Sequence, residues 1–239
     1  MKTNRIIQLS AVILLVVIIV LIMIFIMRGN DKPDRSEQIP DSFTFFEVGA
    51  NTLFSKILRK ELGDKLGSEA IEYRSIIDLE INFKGFLERY FSGLNALNQR
   101  LNYPAGERVE HNTIKLMYRY AQKKDVPFHY IELLFSSYTH KPLFIKIVSK
   151  KDVSEIIDSI QKKYGQPVAI DWQPDSGRSK HWINKRDTLI VSIATDRRGD
   201  LVYHITIYYY DNLEELLDTE EKERRLREEK RKQAGKAAF

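Results

Sequence analysis

Residues 6 to 27 form an apolar run without one charged side chain, and no other feature limits so strongly what this chain can be. Its only polar members are Gln8 and Ser10, both near its start. At about 1.5 Å per residue, a helix over this run is roughly 33 Å long, enough to cross a hydrocarbon core of about 30 Å. A helix also satisfies its own backbone hydrogen bonds, which lipid demands. The β-branched stretch Val16 to Val20 does not oppose it, because burial in lipid outweighs propensity measured in water. The run is therefore read as a transmembrane helix over 6–27, preceded by a short segment over 1–5.

A cleaved signal peptide is the competing reading. The run exceeds the usual apolar region of about 7–15 residues. Its exit, Phe25 to Asn30, offers no small-x-small cleavage site, and with no cysteine in the chain a lipobox is excluded. Lys2 and Arg5 precede the run, while Arg28, Lys32 and Arg35 come after it among Asp31, Asp34 and Glu37. The positive charges are nearly balanced, but a short basic N-terminus ahead of a first span usually stays in the cytoplasm. The expectation is a single-pass protein with a cytoplasmic N-terminus and an extracytoplasmic domain, periplasmic in a bacterium.

Residues 28–41 are polar, contain Pro33 and Pro40, and read as a linker. The rest of the chain suits one soluble α+β domain over 42–212, with a subdivision point near the turn cluster 103–106, and a charged helical tail over 213–239. In the first part, Leu53 to Leu62 and Phe86 to Leu94 show helical spacing, and Ile76 to Phe83 alternates as a half-buried strand would. Glu107 to Lys124 reads as a helix with Val109, Leu116, Met117 and Tyr120 on one face. Two strands over 128–136 and 143–149 come next, joined as a hairpin. A helix then runs from Ser149 to Tyr164, which Gly165 and Pro167 end. Strands over 168–172, 181–184, 188–195 and 201–211 complete a largely antiparallel sheet with a helix packed on one side.

The tail holds eight acidic and eight basic residues, acids early and bases late, as a helix dipole prefers. Glu220–Arg224, Glu221–Arg225 and Glu223–Arg227 sit at i,i+4 spacing, and no heptad seam exists.

Candidate chemistry is sparse. His111, His129, His140, His181 and His204 lie far apart in sequence, and no zinc spacing, nucleophile elbow or phosphate loop occurs. Asp78 and Glu80 share a face of their expected strand and read as its solvent side. Arg198-Gly199-Asp200 spells an adhesion tripeptide but fits a hairpin turn. No cofactor, metal site, nucleic-acid partner or small-molecule ligand is expected, and the net charge of +5 is assigned to solubility.

The aromatic-rich end of the sheet reads differently. On alternating strand faces only half of Tyr208, Tyr209 and Tyr210 can enter one core. Together with Trp172, Trp182, Tyr203, Leu213, Leu216 and Leu217 they form the expected interaction surface, since exposed Tyr and Trp are enriched at interfaces. The sequence thus predicts a non-catalytic, membrane-anchored accessory or structural subunit that contacts the bilayer through 6–27 and other protein subunits through its domain. A tethered ligand- or peptide-binding module is the alternative. An enzyme with dispersed residues would need His181 or His204 beside a carboxylate in a cleft.

Overall fold

The computed structural model describes residues 41–237 apart from 174–176 and 197. The expected transmembrane run, the segment before it and all of the linker but Asp41 lie outside the described residues, as does most of the loop at Pro174. Among the described residues no helix is long and apolar enough to cross a membrane.

In chain order the elements are α1 (Lys56–Leu66), β1 (Ala70–Ser75), α2 (Phe86–Tyr90), α3 (Ser92–Leu101) and β2 (His111–Tyr118). A 3-10 turn (Ala121–Lys124) leads to β3 (Tyr130–Ser136) and β4 (Pro142–Ser149). Then come α4 (Ser154–Tyr164), β5 (Val168–Gln173), β6 (Gly177–Asn184), β7 (Asp187–Thr195), β8 (Leu201–Tyr208) and α5 (Tyr210–Ala237). The strands make one 8-stranded sheet in the order β1-β2-β3-β4-β8-β7-β6-β5, antiparallel throughout.

This order is two four-stranded meanders joined at one seam, β4 against β8, from Phe144 opposite Tyr208 to Ser149 opposite Tyr203. The halves share a plan. Each opens with an 11-residue helix, α1 or α4. A glycine ends each helix in positive φ, Gly67 at 88° and Gly165 at 85°. Shortly after it a six-residue edge strand begins. Both edge strands shift register at the corresponding place, Tyr73/Ser75 and Asp171/Gln173. Leu58, Leu62 and Leu66 on α1 correspond to Ile156, Ile160 and Tyr164 on α4, and both sets pack on the same core.

Both faces of the sheet are covered, not one. The first face carries Leu116, Leu133, Ile145, Ile205 and Val191 under α1 and α4. The second carries Leu134, Phe144, Tyr208 and Ile190 under α2, α3 and the start of α5. The 35 residues between β1 and β2, residues 76–110, supply most of that second layer.

Two expectations from the sequence are corrected by this layering. The expected helix over Glu107 to Lys124 is strand β2, held between β1 and β3. Its apolar residues serve both covered faces, and that two-sided pattern imitates a helical period. The expected strand Ile76 to Phe83 forms no strand: it lies outside the sheet, crosses its second face and bends at Asn82, where φ is 61°. Lys146 Nζ donates to the Asp78 carbonyl at 2.7 Å, Tyr208 Oη to the Leu79 carbonyl at 2.6 Å, and Asn82 Nδ2 to Ser179 Oγ at 3.4 Å. The segment alternates because one side meets the sheet and the other meets water.

Gly67 and Gly165 adopt φ near +85° with ψ of −161° and −169°, a region closed to residues with a Cβ. Nothing lies within 4 Å of a Cβ built at Gly165, so strain there comes from the backbone alone. Gly165→Ala and Gly67→Ala are each expected to lower stability by about 1–3 kcal/mol in denaturant melts. A neutral result at either position would contradict the shared helix-ending geometry.

Candidate functional site

The junction between β8 and α5 gathers more of the molecule's buried polar contacts than any other described segment. Three consecutive tyrosines hold three different elements. Tyr208 Oη reaches the segment crossing the second face. Tyr209 Oη points the other way and is shared by the carbonyls of Phe43 at 3.1 Å and Val48 at 3.0 Å. Burial pushes both phenols well above their ordinary pKa, so both remain donors. Tyr210 lies under the Arg186 guanidinium, 4.0 Å from the ring centroid. Arg186 in turn binds Asp211 at 2.7 Å and Glu214 at 2.8 Å in the first turns of α5. Asn212 Nδ2 donates to the carbonyls of Ala50 and Pro142, each at 2.8 Å.

Further along α5, Leu213, Leu216, Leu217 and Glu220 recur at i, i+3, i+4 and i+7, one face of the helix. Leu213 and Leu216 are fully buried. Glu220 continues that face and meets His111, which is only 2% exposed. His111 Nδ1 lies 2.7 Å from Glu220 Oε2, and Nε2 donates to the Leu101 carbonyl at 2.9 Å. Glu220 Oε1 accepts from the Asn112 backbone N–H at 2.8 Å. The Asn112 side chain donates to Tyr138 Oη, which donates to Glu223 Oε2 at 3.0 Å. This chain of contacts fastens α5 to the start of β2, the end of α3 and the β3–β4 hairpin. Both ring nitrogens of His111 are engaged, so neither serves as a free base or ligand.

A groove of about 550 Å³ lies between α5 and the start of β2. Arg74, Tyr103, Glu110, Tyr138, Arg224 and Arg231 are among its lining residues. A larger groove of about 1110 Å³ lies between the crossing segment and α3, with Phe83 and Tyr103 on its wall. Much of its polar lining holds these two pieces together. Asn98 accepts from the Leu79 N–H and Asn102 donates to the Ile77 carbonyl, while Glu80 accepts from the N–H of Gly85 at the start of α2. Asp78, expected on a solvent face with Glu80, accepts from Asn98 Nδ2.

Burial lowers the pKa of both His181 and His204. His181 stacks edge-on against Phe91 at 5.0 Å, and its Nδ1 is buried without a hydrogen-bond partner among the described residues. No carboxylate contributes to either shift. Among the described residues no three His, Cys, Asp or Glu side chains converge as metal ligands do.

The expected interaction residues are mostly internal. Trp182, Tyr203, Tyr208, Tyr209, Leu213 and Leu216 are buried, and Trp172, Tyr210 and Leu217 are half-buried. Trp182 Nε1 donates to the Gly165 carbonyl at 2.7 Å. Trp172 Nε1 donates to Ser179 Oγ at 2.8 Å, and its ring packs on Phe83 and Phe86. With layers on both faces, alternate tyrosines enter opposite cores and none has to face solvent. The expectation that they form an exposed contact surface is corrected accordingly. The His111–Glu220 pair was not singled out from sequence. Its signal was a carboxylate placed on the apolar stripe of α5, where a buried partner is required.

Comparison with protein-family models, curated proteins and solved structures finds no match to this chain.

Glu220→Ala leaves the buried His111 Nδ1 and the Asn112 N–H without their hydrogen-bond partner, so a stability loss of about 1–3 kcal/mol is expected in denaturant melts. An unchanged midpoint would show that these contacts do not hold α5. Asp187 gives a second test. Burial, with Asp211 adding to it, pushes its carboxyl up to about 6 from 3.8, against a hydrogen bond from the Tyr210 N–H at 3.2 Å. The folded state then holds a proton that the unfolded chain has lost. This contribution is full below the unfolded value and disappears as pH rises through about 6. Asp187→Asn keeps the acceptor for Tyr210 and cannot titrate. Its stability relative to the unsubstituted protein should rise between about pH 4 and pH 7. A flat difference across that range would refute the assignment.

Proposed function

We propose that this protein is a non-catalytic, membrane-tethered accessory or structural subunit, and that its folded body exists to hold α5 in a fixed direction. The tether is the apolar run 6–27, and the side favoured for the body is extracytoplasmic. The observation that carries the reading is the division of α5. Its first half is locked to the body by Leu213, Leu216, the His111–Glu220 pair and the Tyr138–Glu223 contact. Beyond it, every described side chain from Arg224 to Lys236 is exposed. An isolated helix of this length is marginal in water. Here the docked half nucleates it, and the pairs Glu221–Arg225 at 2.6 Å and Glu223–Arg227 at 2.8 Å support its continuation. A chain that builds a rigid rod and buries none of its outer half offers it to something else.

The place where the chain enters the body supports the same reading. Asp41 pairs with Lys185, next to Arg186, which clamps the first turns of α5. Asp41, the first described residue, thus lies beside the base of the rod. A tethered ligand- or peptide-binding module is the second reading, favoured by the 1110 Å³ groove beside α3.

Mild detergent extraction with native gel electrophoresis and crosslinking tests the first reading. The full chain should migrate with partners, well above its own mass of 28.0 kDa. A clean monomer under gentle conditions, with no crosslinked partner in intact membranes, would overturn it.

A further inference from the structure

The outer half of α5 is not uniform around its axis. The side facing the body lines the smaller groove with Glu220, Glu223, Arg224, Arg227, Glu228 and Arg231, which mix both signs. The opposite side carries Lys222, Arg225, Lys230, Lys232 and Lys236, with Glu229 as its only acid. Arg225 is held in an ion pair with Glu221, one turn back on the same helix. Leu226, 57% exposed, is the one apolar residue among them. From 222 to 236 this basic side extends about 21 Å at the helical rise.

We infer that this lysine-rich side of α5 lies along the anionic headgroups of the bilayer that holds the tether. The inference rests on the proposed tether. Four of the five basic groups are lysines, compact point charges suited to a diffuse headgroup field, whereas bidentate recognition of single carboxylates or phosphates favours arginine. A face with one leucine cannot insert deeply, so attachment is electrostatic and lies at the surface. The 14-residue linker 28–41 reaches at most about 50 Å when extended, which keeps the rod near the membrane at high effective concentration. A tether and a polybasic face together attach the body at two points, where a tether alone attaches it at one.

The chain has no cysteine, so one introduced at Leu226→Cys reports alone. The full chain is placed in nanodiscs of phosphatidylcholine, or of phosphatidylcholine with about 30% phosphatidylglycerol, and alkylation by a water-soluble maleimide is timed. The rate at position 226 should fall at least about threefold in the anionic discs and recover in about 0.5 M salt. Adding Lys230→Glu, Lys232→Glu and Lys236→Glu should abolish the protection without changing the melting temperature, since these side chains are exposed. A label at Lys60→Cys on α1 controls for general changes. Equal rates in both discs, protection in neutral discs as well, or protection that survives high salt would overturn the inference. The last two outcomes would point to a protein or apolar contact. Co-elution with neutral discs tests the tether separately. Should the chain stay out of them, the same label with added phosphatidylglycerol vesicles still decides the rod.

Discussion

The seam between β4 and β8 is the constraint on which the rest of the molecule depends. Each meander alone would present an open edge and one half-covered core. Their union places Ile145, Ile147, Ile205 and Ile207 at the centre of one face, and Phe144 and Tyr208 on the other. Because β8 is central, the residue after it must leave the sheet at its middle. That is where Tyr209, Tyr210 and Asn212 turn the chain into α5 and collect the N-terminal segment, the β6–β7 hairpin and β4. Each buried side chain of Leu or Phe size there contributes about 1.5–3 kcal/mol of burial. The hydrogen bonds around them decide direction more than strength.

The insertion between β1 and β2 explains why the two halves differ in role. In the second half only three residues, 174–176, separate β5 from β6 at the corresponding place. The first half uses that connection to build the crossing segment, α2 and α3, closing the second face and supplying the Leu101 carbonyl that receives His111. The layer that completes the core thus also forms one side of the socket for α5.

Much of this was legible in the sequence. The β3–β4 hairpin, the body and glycine end of α4, the strands from 168 onward and the charged terminal helix come from period and turn chemistry, although Ser149, read as the start of α4, closes β4, α4 begins at Ser154, and the strand expected to reach Asp211 ends at Tyr208. Strand β2 and the crossing segment were not legible, for one reason. Period two or 3.6 reports which sides of a segment are buried, and both segments lie against layers that the sequence does not reveal. The same hidden second layer left one of the neighbouring pair Tyr208 and Tyr209 without a core to enter. In the tail the i,i+4 pairs of Glu221 and Glu223 formed, while Glu220 was taken by His111, a contact across 109 residues that no local pattern carries.

Helix α5 is one helix with two states of attachment, fixed up to Glu223 and free beyond it. Hydrogen exchange resolved by mass spectrometry measures this directly. Amides of β4, β8 and residues 210–223 should exchange only through global or subglobal opening, and amides of 226–236 should exchange orders of magnitude faster. Equal protection along the whole of α5 in the free protein, or fast exchange in 210–223 while the sheet stays protected, would contradict the divided helix.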